Sequence, residues 1–124
     1  MPDSAPDAEV RLRDILRFFL SPAQCGVFLS RSRLGQMAKE VLGDRLPFGA
    51  RFEVAEALFT AAGEAGEVER LLSALEGEVD AWAREYRAWA QVYPAWQPDA
   101  ETWLARIAEA TRRLGEMRTI AAGG

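Results

Sequence analysis

Apolar residues recur along this chain at helical rather than strand spacing. The clearest run is Val68, Leu72, Leu75, Val79, Trp82, Tyr86, Trp89 and Tyr93, which step by 4, 3, 4, 3, 4, 3 and 4. An apolar heptad held for more than three repeats predicts one continuous helix. Its span, 67–92, would measure about 39 Å at the helical rise per residue. Pro94 ends it, and Gly77 inside it weakens it by about 1 kcal/mol relative to Ala. Trp103, Ile107, Ala110, Leu114 and Met117 then repeat the same stepping, flanked by Leu104, Ala108 and Thr111. Asp99 reads as the cap of this last helix, 100–118, and residues 119–124 read as a frayed tail.

The first half of the chain carries shorter patterns. Leu12, Ile15, Leu16 and Phe19 share one face of a helix over 6–20, with Phe18 and Leu20 widening it; Ser4 and Asp7 mark its start. Ser21-Pro22 breaks that run, and 21–29 reads as a helical turn followed by an extended piece. Ser30 caps a helix over 31–42, in which Leu34, Met37, Ala38, Val41 and Leu42 fit the i, i+3, i+4, i+7, i+8 template, and Gly43 stops it. Residues 44–49 form a loop by their Pro and Gly content. A helix over 50–64 follows, with Phe52, Ala55, Leu58 or Phe59, and Ala62 as its buried stripe and Gly63 and Gly66 closing it.

Two long patterned helices joined by a short Pro-containing loop make an antiparallel hairpin. Neither can bury its stripe alone, so the shorter helices supply the other wall. The expected architecture is all-α: a four- or five-helix bundle, one domain over 1–124, with a long C-terminal helical hairpin and tails at 1–5 and 119–124. Ala, Leu, Glu and Arg, all strong helix formers, dominate, and β-branched residues are few.

Composition narrows the function. The chain has 124 residues, 49% of them apolar and 27% charged, which suits a globular domain and neither disorder nor a bilayer span. The opening Met-Pro-Asp-Ser-Ala-Pro-Asp has no basic segment followed by an apolar one, so no secretion leader and no membrane insertion are expected. The net charge is −4, and residues 55–124 hold 12 acidic against 7 basic groups. That balance argues against nucleic acid, which needs a concentrated basic face. Lys39 is the one lysine among 15 cations, an Arg bias that a GC-rich bacterial genome explains. A single cysteine, Cys25, permits no intrachain disulfide and suits a cytoplasmic location.

The chemistry available is limited. Without histidine there is no Ser-His-Asp or Cys-His arrangement, and no ferritin-like ligand set. One cysteine and no histidine leave no ordinary zinc site, and no glycine-rich phosphate loop is present. No catalytic residue, metal or cofactor is therefore expected. Carboxylates such as Glu53, Glu56, Glu69, Glu76, Asp80 and Glu85 lie off the apolar stripes, as a solvated face requires. An enzyme would need two of them to converge in a cleft.

The unusual local feature is aromatic. Trp82, Tyr86, Trp89, Tyr93, Trp96 and Trp103 hold every Trp and Tyr of the chain within 22 residues. Large rings can fill the wide end of a bundle, with their polar tips at its rim. They also compose interface hot spots together with Arg, and Arg84, Arg87 and Arg106 are close in sequence. A strict heptad with aromatic seam positions also suits self-association as a homodimer. A second feature is the Ser21–Arg33 segment, where Arg31 and Arg33 sit beside a helix N-terminus and Arg51 stands at another. Either an anion or an acidic partner could answer them, and ordinary turn chemistry explains them as well.

Helices broken by short Pro/Gly loops, an acidic balance and an Ala-Leu-Glu-rich body over about residues 45–118, with Leu58-Phe59 before an Ala/Gly turn, resemble the TorD/NarJ-type chaperones. Those are all-helical proteins that escort molybdenum-containing redox enzymes during maturation. The resemblance is one of general character, carries no site residue across, and implies an assembly role. The sequence thus leads to a non-catalytic interaction module: a small helical chaperone, assembly factor or adaptor. It would bind a partner protein through Trp82, Tyr86, Trp89, Tyr93, Trp96, Trp103, Arg31, Arg33 and Arg51. The alternative is a regulatory bundle that holds a small molecule in a Trp/Arg-lined pocket.

Overall fold

The structure, a computed structural model, describes residues 4–43 and 49–123, with side chains placed from residue 11 to 122 within them. Six α-helices follow one another: α1 (Ser4–Phe19), α2 (Pro22–Cys25), α3 (Arg31–Leu42), α4 (Arg51–Ala65), α5 (Val68–Val92) and α6 (Gln97–Gly123). A 3-10 turn, Pro94–Trp96, joins the last two, and there is no strand among the described residues. The chain is the all-helical bundle its patterning predicts.

Local chemistry explains most boundaries. Ser30 accepts a hydrogen bond from the Arg33 amide at 3.0 Å and starts α3, and Gly43 at φ 73° ends it. The Glu53 carboxylate reaches back to the Ala50 amide at 2.9 Å and starts α4. That helix closes in a Schellman turn: Gly66 takes φ 71°, and the Glu67 and Gly66 amides donate to the carbonyls of Ala62 and Gly63. The loop expected over 44–49 falls almost wholly on 44–48, outside the described residues.

Three expectations differ from the structure. The first helix already begins at Ser4, inside the tail expected over 1–5. The last helix begins at Gln97 rather than 100, because Trp96 passes directly from the 3-10 turn into α6. Asp99 therefore lies in its first turn, where a carboxylate still favours the helix dipole. The same helix runs to Gly123 instead of fraying from 119, and Ile120 is half-buried against the core.

α5 and α6 pack along each other as an antiparallel hairpin. α1 lies on α6 and α4, α3 on α4 and α5, and α2 against α1 and α6. The core joins Ile15, Leu16 and Phe19 of α1 to Leu34, Met37 and Val41 of α3. Leu58 of α4, Leu71, Leu72, Leu75 and Val79 of α5, and Ile107, Leu114 and Met117 of α6 complete it. Each fully buried Leu in this set contributes about 2 kcal/mol of transfer free energy. Arg118 of α6 pairs with Glu69 at 3.1 Å and Glu76 at 3.2 Å on α5, across the open end of the hairpin. No described helix is long and apolar enough to cross a membrane.

The extended piece Val27–Ser30 belongs to this core. Cys25, Gly26, Val27 and Leu29 are buried there. A strandless extended segment has backbone groups that no ladder satisfies, and side chains take over. The Tyr86 hydroxyl donates to the Gly26 carbonyl at 2.6 Å, and Arg51 Nε donates to the Leu29 carbonyl at 2.8 Å. Gly26 takes φ 75°, and a Cβ there would lie 3.2 Å from the Trp103 carbonyl oxygen, so only glycine fits without strain.

Candidate interaction surface

The hairpin outgrows the bundle that supports it. At the helical rise, the 25 residues of α5 span about 38 Å, against about 18 Å for α3 and about 22 Å for α4. The apolar heptad of α5 is core from Leu72 to Tyr86 and then runs on past the point where neighbours are available. Beyond Tyr86 the hairpin tip stands in solvent: Trp89 is 38% exposed, Tyr93 51%, Trp96 50%, and Val92, between the rings, 65%.

The six rings predicted as a cluster do form one. Trp82 lies 5.8 Å from Tyr86, centroid to centroid. Tyr86 stacks on Trp103 of α6 at 6.0 Å and meets Trp89 edge to face at 5.4 Å. Trp89 meets Trp96 at 6.4 Å, and Trp96 meets Tyr93 at 4.7 Å. The series therefore grades from a buried member, Tyr86, through half-buried Trp82 and Trp103, to three exposed rings. Burial raises the Tyr86 hydroxyl above its ordinary pKa, and the nearby Cys25 adds to the shift.

The turn holds the outer rings in place. Pro94 keeps Tyr93 out of the helical region (φ −126°, ψ 82°), and the Trp96 amide donates back to the Tyr93 carbonyl at 2.8 Å. The outer rings thus sit on a backbone fixed by hydrogen bonds and against each other's faces and edges. That arrangement lowers the ordering cost of binding. The four tryptophans fall seven residues apart, at 82, 89, 96 and 103, so the ring series continues across the turn onto α6.

The three predicted arginines stand elsewhere and are answered from within the chain. Arg33 Nε contacts Glu78 Oε2 at 2.6 Å, with Glu40 at 3.5 Å. Burial works against its charge, but these carboxylates hold its pKa above the ordinary value. Arg51 clamps the Leu29 and Leu20 carbonyls and lies 4.9 Å from the Phe28 ring, while Arg31 donates to the Gly49 carbonyl at 3.2 Å. Arg51 therefore serves the carbonyl-rich end of α1 and the extended segment. A lone extended piece between helices, needing several donors, was the signal for that role.

Of Arg84, Arg87 and Arg106, close to the rings in sequence, only Arg106 lies against one of them. Arg84 and Arg87 are exposed on α5, and with Asp80, Leu104 and Thr111 they line a shallow groove of about 330 Å³ between α5 and α6. Arg106 lies 5.2 Å from the Trp103 ring and donates to the Ala23 carbonyl, fastening α2 to α6. The burial of Cys25 raises its thiol pKa, the reverse of what a reactive thiolate needs.

A larger groove of about 820 Å³ opens between α1, α4, the start of α5 and the end of α6. Neither groove is lined by a tryptophan. Among the described residues no group of three or more Cys, Asp or Glu side chains is gathered as metal ligands would be. No protein-family model, curated protein or solved structure matches this chain.

Proposed function

We propose that this chain is a non-catalytic interaction module, a small helical assembly factor or adaptor, that grips a partner protein with the tip of its α5–α6 hairpin. The observation that carries this reading is the exposure of Trp89, Val92, Tyr93 and Trp96 at one place, braced ring to ring on buried Tyr86. Exposed Trp and Tyr have the composition of an interface centre, and a contiguous exposed apolar patch marks a contact site. Arg31, Arg33 and Arg51 do not enter this reading, because all three already have internal partners. The resemblance to TorD/NarJ-type chaperones favours an assembly role over other interaction roles.

The test is site-specific photocrosslinking in cells of the native host. A crosslinking residue at position 92 should trap a discrete adduct. The same residue at exposed Ser73 should not, and Trp96→Ala should remove the adduct. Equal adduct patterns from both positions would refute the reading. Adducts only between copies of the chain would make the tip a homodimer contact instead.

A further inference from the structure

The hairpin tip leaves the larger groove, near the open end of the hairpin, without a role. We infer that this groove is a binding site for a small lipophilic cation, an aliphatic or aromatic body carrying one positive charge.

Four helices build the floor. Leu12 and Leu16 come from α1, Phe59 from α4, Val68 and Leu72 from α5, and Met117 from α6. The groove exists because α4 is apolar on two sides. Val54, Ala55, Leu58 and Ala62 enter the core, while half-buried Ala57, Phe59 and Ala61 line the groove. The second apolar stripe of α4, edged by Glu53, Glu56 and Glu64, is covered by no described helix along the groove. At about 820 Å³ the groove has the size of a small-molecule site.

The rim selects the charge. Among the described residues it carries three carboxylates, Glu53, Glu56 and Glu64, against one cation, Arg13. Arg13 is already committed to Glu56 at 2.8 Å, and one Glu53 oxygen caps the Ala50 amide. Glu64 is left in the last turn of α4, where the helix dipole is itself negative and no basic residue stands. Among the described residues Glu64 makes no ion pair. An anionic ligand would meet an excess of negative charge, and a hydrated metal ion would gain nothing from a floor of Leu, Phe, Val and Met. A cation with an apolar body satisfies both halves of the groove: its charge lies by Glu64 and the α4 carbonyl end, and its body displaces water from the floor.

Calorimetric titration with decyltrimethylammonium, against decyl sulfate of equal chain length, both well below micelle formation, tests this. The wild-type chain should bind the cation at least tenfold more tightly than the anion. Glu64→Gln should cut that preference severalfold with the helix content unchanged. Thr60→Trp, which places a bulky ring on the groove from an exposed α4 position, should abolish binding of the cation. Equal affinity for the two surfactants, no binding of the cation at millimolar concentration, or undiminished binding in Thr60→Trp would overturn the inference. So would sedimentation showing a dimer that Thr60→Trp dissociates, since the groove would then belong to a second copy. None of these outcomes depends on the hairpin tip.

Discussion

The hydrogen bond from Tyr86 to Gly26 ties the hairpin to the extended segment, and Tyr86→Phe isolates it. The phenyl ring keeps the packing on Trp103 and Trp89, so the buried area hardly changes. What disappears is a 2.6 Å bond to a carbonyl on a buried glycine. An orphaned buried acceptor costs about 1–3 kcal/mol, and the depth of Gly26 places this case near 2 kcal/mol. For a chain of this length that corresponds to a fall in Tm of roughly 5–10 °C. In urea the midpoint should drop with the slope unchanged, because the surface exposed on unfolding stays the same. Amide exchange should quicken locally at 26–29, the segment that loses its anchor. A loss below about 0.5 kcal/mol, the size of an ordinary surface change, would show that water satisfies Gly26 O. The account of Tyr86 as the brace for both the segment and the outer rings would then fail.

Three further outcomes follow from the same contacts. Gly26→Ala should cost about 2–4 kcal/mol, combining a left-handed alanine with a Cβ 3.2 Å from the Trp103 carbonyl oxygen. Gly43→Ala, with φ 73° but open space around it, should cost only about 1–2 kcal/mol, and equal denaturation midpoints for the two would contradict the packing argument. Tyr93→Ala and Trp96→Ala should each shift stability by less than about 1 kcal/mol in thermal melts while abolishing the position-92 adduct; a loss of several kcal/mol would make these rings structural. The raised pKa values of Cys25 and Tyr86 mean that the fold prefers their protonated forms. Their contribution is therefore whole below the unfolded values, ordinarily 9.0 and 10.0, and is lost as pH rises through the higher folded ones. Denaturation midpoints should decline from about pH 9 upward, later in Cys25→Ala, and a profile level to pH 11 would contradict the assignment.

Periodicity made most of the fold legible. Leu34, Met37, Ala38 and Val41 are all buried, as their spacing requires, and so are Ile107, Ala110, Leu114 and Met117. A helix in a bundle buries one stripe, and that stripe is written in the sequence. The helical turn and extended piece expected over 21–29 are found as α2 and the residues after it, but the burial of 25–29 was illegible for the converse reason. That burial depends on Tyr86 and Arg51, 60 and 22 residues away from their acceptors, and no local spacing encodes such pairings. Arg51 beside a helix start looked like a receptor for negative charge. It does meet negative charge, but that of backbone carbonyls in its own chain.

The candidate surface was half legible. The heptad located four rings, Trp82, Tyr86, Trp89 and Tyr93, on one face of α5, and the structure joins them to Trp96 and Trp103, yet spacing alone could not say which would be covered. Val68 and Tyr93 are the first and last seam positions of one pattern, and only the first has helices above it. That difference comes from the lengths of α3 and α4, which end before the hairpin does. Val92 lies off the heptad and is the most exposed apolar residue of the tip, so seam spacing gave no reason to select it.

The mismatch of lengths is the strongest argument that the tip is for something. A hairpin turning just after Tyr86 would still bury Leu72, Leu75, Val79 and Ile107 and would still fix Gly26. Continuing the apolar pattern leaves much of Trp89, Val92, Tyr93 and Trp96 in water, where the exposed part gains nothing from folding and adds an aggregation hazard. Solvent-facing helix extensions that serve only as spacers need Glu, Lys or Ala, and would be expected to drop the heptad once the core ends. Here the seam persists in its largest and most rigid side chains for another turn and a half, then passes through the 3-10 turn to Trp96. The residues that make this costly in isolation are those that reward coverage by a partner, because rings already packed against one another lose little freedom when bound.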